Sequence, residues 1–174
     1  LCLTSYLLLR LNPALVVAIL FVGSLALPAV PILITVVGLR RGHFDRFLPN
    51  LRGVDLTKAD LSGIDLRGAD LKQAQLAGAN LNGANLVGVT LERANLQWVS
   101  LEGASLSGAN LAGADLSAAN LIRATLTGAN LRAASLAHAD LRGTNLHEAN
   151  LNQAGWRQAL IDETTEVAEK WRLV

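Results

Sequence analysis

Sulfur-containing and aromatic side chains are scarce in this chain of 174 residues, which narrows the classes of protein to which it can belong. The only cysteine is Cys2, so an intramolecular disulfide and a cysteine-rich metal cluster are both excluded. Methionine is absent and aromatic residues make up 4% of the chain, whereas hydrophobic residues of all kinds make up 51%. Any buried core must therefore be built mainly from aliphatic side chains.

The net charge of the chain is close to zero, because 15 basic and 14 acidic residues leave only +1 at pH 7. Between residues 50 and 155, eight basic side chains oppose nine acidic ones. A protein that binds nucleic acid needs a strong positive field, and one that imitates nucleic acid needs a strong negative one. We therefore expect no nucleic-acid partner.

The sequence contains no recognisable catalytic or ligand-binding motif. There is no glycine-rich phosphate loop, no nucleophile motif and no pair of histidines at metal-binding spacing. Two of the three histidines, His138 and His147, fall at positions expected to face solvent. We therefore predict no catalytic residues, no metal, no cofactor and no small-molecule substrate, and a function that is not enzymatic.

What the chain has instead is a leucine at every fifth position, without interruption, from Leu51 to Leu151. The residue two positions before each leucine is small and apolar, usually alanine, and Thr144 is the one polar exception. The residue immediately before the leucine is nearly always short and polar, and the second residue after it is often glycine. A fixed period of this kind indicates one structural unit stacked many times.

A period of five residues fits neither an α-helix nor a flat β-strand. On a helix, a step of five residues rotates the leucine by about 140°, so the leucines would spread around the axis. On a strand, an odd step would place successive leucines on opposite faces. The period is satisfied if the backbone turns a corner every five residues, with the leucine and the small residue inward and the other three positions outward. Glycine tolerates positive φ at such corners, and Asp and Asn hydrogen-bond to nearby backbone.

The repeated tripeptides identify the type of coil. Ala-Asp-Leu occurs at 59–61, 69–71, 114–116 and 139–141, and Ala-Asn-Leu occurs at 79–81, 84–86, 94–96, 109–111, 119–121, 129–131 and 149–151. This pattern resembles the motif A-(D/N)-L-x-x of the pentapeptide-repeat family, in its membrane-anchored cyanobacterial form. The resemblance implies an all-β solenoid over residues 50–161. It would be a right-handed quadrilateral β-helix with four repeats per coil and about five coils.

Residues 13–39 are predicted to form a transmembrane α-helix. The 26 residues from Ala14 to Leu39 carry no charge, and about 20 apolar residues are enough to span a bilayer. Asn12 is a favourable N-cap, and Pro13 suits the first helical position. A cleaved signal peptide would have a shorter apolar core of about 7–15 residues. A buried soluble helix would find too little surface on a narrow rod to cover all its faces.

Positive charge follows the predicted transmembrane helix, at Arg40, Arg41 and Arg46. By the positive-inside rule, this end of the helix lies in the cytoplasm and the repeat rod lies there with it. The predicted location is therefore a membrane, either the plasma membrane or the thylakoid, with the rod on its cytoplasmic side.

Two short segments precede the rod in addition to the helix. Residues 1–12 are interpreted as an interfacial segment or as the end of a preceding helix, and the leucine at position 1 favours the second interpretation. Residues 40–49 are interpreted as a linker. Because an open coil exposes unpaired backbone groups and core side chains, we expect three residues of this linker to plug the first coil: Phe44, Phe47 and Pro49.

The five-residue frame dissolves after Leu151. Trp156 occupies the next central position, and Leu160 and Ile161 fall near the following one. Residues 162–174 are predicted to form a short helix that caps the last coil. Its apolar side would consist of three residues at helical spacing: Val167, Trp171 and Val174.

Trp98 is the outward residue that best fits a contact with another molecule. With twenty residues per coil, it stacks in one column with Lys58, Gly78, Ala118 and His138. A large aromatic side chain among small neighbours is typical of an interface anchor. We therefore predict Trp98, Lys58 and His138 as partner contacts, and the competing interpretation is an exposed aromatic residue without a partner.

Two functions follow from the resemblance and the charge. The first is a membrane-anchored, non-catalytic scaffold or interaction protein, acting as a subunit or an assembly or stabilising factor of a membrane complex. Photosynthetic complexes are included, because photosynthetic-bacterial relatives combine transmembrane segments with this repeat. Its partners would be the lipid bilayer and another protein. The alternative is a DNA-mimicking, gyrase-binding protein, since some family members are acidic rods of this kind, but the near-neutral charge argues against it.

Overall fold

The computed structural model describes residues 50–167. Several predicted features lie outside the described residues: segment 1–12, the transmembrane helix 13–39, Arg40, Arg41 and Arg46, the plug in linker 40–49, and residues 168–174 of the C-terminal helix. Between residues 50 and 167 there is no helix with the length and apolar character needed to cross a bilayer.

The described residues wind into a coil with twenty residues per turn. Parallel β-bridges join each coil to the next, beginning with Asn50 to Asp70 and ending with Asn145 to Glu166. Each bridge is one residue wide, and no α-helix or longer strand forms within residues 50–167. Because four bridges occur in every coil, the cross-section is four-sided, as predicted, and the described residues make just under six coils.

We number the four faces by their first leucines, so that face 1 begins with Leu51, face 2 with Leu56, face 3 with Leu61 and face 4 with Leu66. On each face, the residue before the leucine forms the bridge and the two residues after it form a turn. The turn is closed by a hydrogen bond from the N–H of the next small residue to the leucine carbonyl, as from Ala59 to Leu56 (3.0 Å). The chain thus turns a corner every five residues.

The second residue of each turn, here called the corner residue, has a positive φ from Gly53 through Gln158, between 55° and 67°. Glycine adopts this conformation without steric cost. Half of the corner residues are not glycine: Lys58, Gln73, Arg93, Trp98, Ala118, Arg123, Ala133, His138, Glu148, Gln153 and Gln158. Most of these follow faces 1 and 2, so two of the four corners carry most of the corner side chains.

The leucines and the small residues form a dry interior. Every in-frame leucine from Leu71 to Leu151 is at most 1% exposed, and the small residues two positions earlier are buried with them. Burial of one leucine contributes roughly 1.5–3 kcal/mol, so this ladder is the main source of stability. The predicted inward and outward positions are therefore confirmed for these coils.

The Asp and Asn residues before the leucines satisfy the one backbone N–H group that the coil leaves over. In the repeats of the middle coils, the other four N–H groups donate to a neighbouring coil or close the turn. The N–H of the residue after the leucine donates to the bridge side chain, as from Thr57 to Asp55 Oδ1 (3.0 Å) and from Ile122 to Asn120 Oδ1 (3.1 Å). The local hydrogen bonding predicted for these residues is therefore confirmed.

The last coil departs from the frame by one inserted residue. Bridged residues are twenty apart through the pair Asp140 and Leu160, but Asn145 pairs with Glu166, twenty-one residues later. Residues 162–167 form a turn and the final bridge. The predicted helix over residues 162–174 is therefore wrong for its first six residues.

Side-chain hydrogen bonds explain why residues 162–167 stay on the rod. Thr165 takes the place of the small inward residue, and its Oγ1 accepts the Asp162 N–H (3.1 Å) and donates to the Leu141 carbonyl (2.9 Å). The Gly143 N–H donates to Asp162 Oδ1 (3.3 Å), in the position where a backbone carbonyl accepts in the other coils. A helix over residues 162–167 would break these bonds.

Candidate partner-binding site

Backbone hydrogen bonds stack the corner residues that follow face 2 into one column. From Lys58 to His138, the backbone N–H of each corner residue donates to a carbonyl of the next coil, as from Trp98 to Ser117 (3.0 Å) and from Ala118 to Ala137 (2.8 Å). We call this set the Trp98 column: Lys58, Gly78, Trp98, Ala118, His138 and Gln158. Successive members lie one coil apart, or about 4.8 Å. The stacking predicted for Lys58, Trp98 and His138 is therefore present, and their role as contacts stays a prediction.

Trp98 combines an exposed aromatic side chain with a strained backbone. The residue is 67% exposed, and its φ is 55°. For a residue with a Cβ atom, this left-handed conformation costs about 1–2 kcal/mol, and an exposed indole regains little of that through burial. Glycine, as at Gly78 one coil below, would avoid the cost. The stability of the fold therefore does not explain a tryptophan at this corner.

Lys58 and His138 are exposed and lie two coils below and above Trp98. A Cβ atom built on Gly78 would lie 3.5 Å from Lys58 Cγ, so the lysine stem runs along the coil above it. Two coils correspond to about 9.6 Å. The three predicted contacts therefore form a line along the rod rather than one compact pocket.

The structure places a carboxylate against Gln97, the chain neighbour of Trp98, and the sequence prediction missed it. Gln97, the residue before Trp98, donates from Nε2 to Oδ2 of Asp115 on the next coil. The Ser117 N–H donates to Oδ1 of the same carboxylate (3.0 Å). Burial acts to raise the pKa of Asp115, but hydrogen bonds from the Ser117 hydroxyl, Gln97 and the Ser117 N–H outweigh it and lower that pKa. The carboxylate is thus ionised at neutral pH.

Asp115 has no cationic partner among residues 50–167. The ion pairs in this range use other carboxylates: Asp65, Asp70, Glu92, Asp140 and Glu148. The neighbourhood of Gln97 and Asp115 could have been found from the sequence. The two residues are eighteen positions apart. Because one coil contains twenty residues, the residue that follows a leucine lies beside the residue that precedes the stacked leucine of the next coil.

Several other charged groups on the rod form ion pairs with one another. Lys72 and Glu92 on face 1 are 2.9 Å apart, and Arg142 Nη2 lies 2.6 Å from Asp140 Oδ2 on face 3. Such surface pairs contribute about 0–1 kcal/mol each. A shallow depression near the last coil includes this arginine and is lined by Ile122, Arg123, Arg142, Gly143, Asp162 and Thr164. Its acidic residue, Asp162, is engaged by Gly143 and Thr164.

Within residues 50–167, no three His, Cys, Asp or Glu side chains are grouped so that they could hold a metal ion. His147 Nε2 lies 3.5 Å from Glu148 Oε1. The Asp and Asn residues before the leucines are numerous because they accept backbone N–H groups at the corners, as at Asp55 and Asn120. They are therefore structural residues and not a pair of catalytic carboxylates.

Comparison with protein families identifies pentapeptide repeats, in eight copies. The matched segments are 50–73, 69–108, 94–132 and 126–154. They run together from residue 50 to residue 154, which is more than half of the chain. A search of curated proteins found no match.

Solved structures of three pentapeptide repeat proteins are similar to this chain. One from the cyanobacterium Cyanothece 51142 is 29% identical, with a TM-score of 0.55, over 67% of this chain and 89% of its own. One from the Arabidopsis thaliana thylakoid lumen is 35% identical, with a TM-score of 0.44, over 50% and 64%. HetL from Nostoc, involved in heterocyst differentiation regulation, is 33% identical, with a TM-score of 0.30, over 62% and 66%. The first of these supports the coil described above.

Proposed function

Because the chain belongs to the pentapeptide-repeat family, whose members form right-handed quadrilateral β-helices, we propose that it is a non-catalytic interaction protein. Its rod binds another protein through the Trp98 column. Residues 13–39 anchor the rod to a plasma or thylakoid membrane, on the cytoplasmic side. The whole protein acts as a subunit or as an assembly or stabilising factor of a membrane complex.

The observation that carries this proposal is Trp98. Its φ of 55° lowers the stability of the fold. Because the residue is 67% exposed, burial of the indole does not offset this cost. Tryptophan is also among the residues most enriched at the energetic centres of protein interfaces. Ten other corner residues that are not glycine have the same positive φ, so the exposed indole is what distinguishes Trp98. A contact with a partner protein accounts for that exposure.

The form of the rod supports binding rather than catalysis. Catalysis requires several polar groups that converge in a concave, water-excluding site. In residues 50–167 the inward positions hold apolar side chains such as Leu101, which is fully buried. The polar side chains lie on four outward faces and diverge from one another. Such a surface can recognise a partner, but it does not bring reacting groups together.

The membrane part of the proposal is supported by the sequence of residues 13–39. The uncharged run from Ala14 to Leu39 is long enough to cross a bilayer, and Arg40 and Arg41 follow it directly. Anchoring would hold the rod close to the membrane and favour partners that are themselves membrane proteins.

Co-purification tests the proposal. The full chain with an affinity tag is recovered from detergent-solubilised native membranes, beside the variants Trp98→Gly and Val87→Ser. Val87 is also an exposed apolar residue (38%), but it lies on face 4 and serves as the matched control. We expect a defined set of membrane proteins with the wild type and the control, and loss of that set with Trp98→Gly. Recovery of no stable partner by any of the three would contradict the proposal.

The charge of the rod argues against the DNA-mimicking alternative. Residues 50–167 carry twelve acidic and nine basic side chains, a net charge of −3. A rod of about six coils is about 29 Å long, and duplex DNA of that length carries about 17 negative charges. We therefore expect no effect in a gyrase supercoiling assay. Inhibition of gyrase at stoichiometric concentrations would restore this alternative.

A further inference from the structure

An exposed indole and a carboxylate that has no ion pair within residues 50–167 lie on successive coils of the rod, and Gln97 connects the two. Trp98 occupies the corner of one coil, and Gln97 beside it holds the Asp115 carboxylate of the next coil through its side-chain amide. The N–H of Ser117 fixes the other carboxylate oxygen (3.0 Å). Both groups are therefore positioned by the coil itself, before any partner binds.

The residues directly above and below Trp98 in its column are small. Ala118 stands directly above Trp98 in the column and Gly78 directly below it, so neither covers the indole, which is on a residue that is 67% exposed. Two cationic stems run along nearby corners: that of Lys58 passes Gly78, and that of Arg93 passes Gly113, two residues before Asp115. Arg93 pairs with Glu92 (4.0 Å), and neither cation forms an ion pair with Asp115. Within residues 50–167, Asp115 therefore has no ion pair and the indole stays largely exposed.

These two groups attract the same kind of ligand. The face of a tryptophan ring carries negative electrostatic potential and attracts a guanidinium or ammonium group within about 6 Å of the ring centre. A carboxylate has room for about four hydrogen bonds, and arginine donates to carboxylates through a planar fork. We propose that Trp98 and Asp115 together bind a cationic side chain, an arginine in preference to a lysine, presented by the partner protein. This inference rests on the proposed function as an interaction protein.

The backbone of the rod excludes the main alternative, which is addition of a partner strand. At this corner the Trp98 N–H already donates to Ser117 (3.0 Å) and the Gln97 carbonyl already accepts from Gly78 (2.8 Å). A sheet edge must offer unpaired N–H and C=O groups to bind an extended peptide. Recognition at the Trp98 column must therefore come from side chains.

The test uses the full chain labelled with ¹⁵N, and its probe is arginine amide. The neutral isostere citrulline amide is the reference ligand. The indole N–H signal of Trp98 is assigned as the one that disappears in Trp98→Gly. We expect this signal to shift saturably with arginine amide at millimolar concentrations, and not with citrulline amide. Higher salt should weaken the shift, because an exposed ion pair is screened.

Asp115→Asn is the decisive variant because it changes charge without changing the fold. Asparagine fills the same position of the repeat at Asn120 and accepts the same backbone N–H (3.1 Å). We expect it to weaken arginine amide binding about fivefold or more, as loss of a charged acceptor does. Asp60→Asn is the matched control. It removes a carboxylate on face 3 that lacks an ion pair within residues 50–167 and should leave binding unchanged.

Three results would overturn the inference: no saturable shift of the Trp98 signal, an equal shift with citrulline amide, or unchanged binding by Asp115→Asn. The outcome is distinguishable from failure of the proposed function. Partners that co-purify and are lost with Trp98→Gly, together with no arginine binding, would leave the function standing and refute the cation site. Arginine binding without any co-purifying protein would support the cation site and refute the proposed function.

Discussion

The middle of the rod and its last coil solve the same structural problem in different ways. From residue 70 to residue 142, backbone groups pair with backbone groups in the next coil, and Asp or Asn bridge side chains accept the N–H group that is left over. In residues 151–167, one residue is inserted and side chains take over backbone roles. Asp162 Oδ1 accepts from Gly143, and Thr165 Oγ1 accepts from Asp162.

The inward positions of the repeat tolerate few types of side chain, whereas the outward positions tolerate many. An inward position accepts a polar side chain only where its hydroxyl reaches a carbonyl, as Thr144 reaches Leu121 (2.8 Å) and Thr165 reaches Leu141 (2.9 Å). A buried hydroxyl without a partner would be costly. Outward positions change freely between coils, and this freedom is what allows a tryptophan to appear at one corner.

The largest difference between the two regions should appear on truncation of apolar side chains. Leu101 in the middle is fully buried, so Leu101→Ala should lower the free energy of unfolding by about 2–5 kcal/mol. Ile161 in the last coil is 59% exposed, so Ile161→Ala should change it by less than about 0.5 kcal/mol. Chemical denaturation of the full chain measures both. Equal losses would show that the last coil is packed as tightly as the middle.

Removal of the threonine hydroxyl in the last coil should rank next. Thr165→Ala leaves the Asp162 N–H without its acceptor and should cost about 1–3 kcal/mol. Thr144→Ala in the middle should cost only about 0.5–1.5 kcal/mol, because the Leu121 carbonyl keeps the Ala124 N–H as a donor (2.9 Å). Thermal unfolding of the two variants, with Thr165→Ser as the control that keeps the hydroxyl, measures the difference. A larger loss for Thr144→Ala would reverse the comparison.

Truncation of a bridge side chain in the middle coils should have the third-largest effect on stability. Asn120→Ala removes the acceptor of the Ile122 N–H and should destabilise by about 0.5–2 kcal/mol, as loss of a helix N-cap does. Asn120→Asp should be nearly neutral. In the last coil, Leu160→Asn should bring no gain in stability, because the Asp162 N–H is already bonded to Thr165. A clear stabilisation by Leu160→Asn in denaturant titrations would refute this account of the last coil.

The corners should show a smaller effect of either sign. Gly108 and Ala118 have nearly the same backbone conformation, with φ of 64° and 57°. A Cβ atom at Gly108 would meet nothing within 4 Å, so Gly108→Ala isolates the backbone cost and should destabilise by about 1 kcal/mol. Ala118→Gly should stabilise by up to about 1 kcal/mol. Melting temperatures that move in the same direction for both variants would disprove the backbone explanation.

The last coil should also contribute a small dependence on pH. Hydrogen bonds, chiefly from the Thr164 hydroxyl, lower the pKa of Asp162 below its usual 3.8. Because the folded form has the lower pKa, this stabilisation is complete above the unfolded value and is lost as the pH falls through the folded value. Asp162→Asn should therefore lose less thermal stability on acidification than the wild type. Parallel losses would show that Asp162 does not contribute.

The leucine period was sufficient to predict the coil and its orientation, because burial of one side chain in five leaves few other backbone paths. The same period predicted that Trp98 stacks above Gly78 and below Ala118. The helix over residues 162–167 was mispredicted because helical spacing of Val167 and Trp171 is an apolar signal, whereas Thr165 and Asp162 hold the chain by hydrogen bonds that hydrophobic spacing does not report.

By itself, the sequence determined which residues are inside the rod, how many complete one coil and why Asp or Asn precedes each leucine. These features depend on local period and local hydrogen bonding. The period also brings Gln97 next to Asp115, but only the tertiary structure decided that their side chains hydrogen-bond and that an inserted residue would be absorbed at Asp162. Both depend on side-chain contacts between successive coils, across about twenty residues of sequence, and such contacts exist only after the coil has closed.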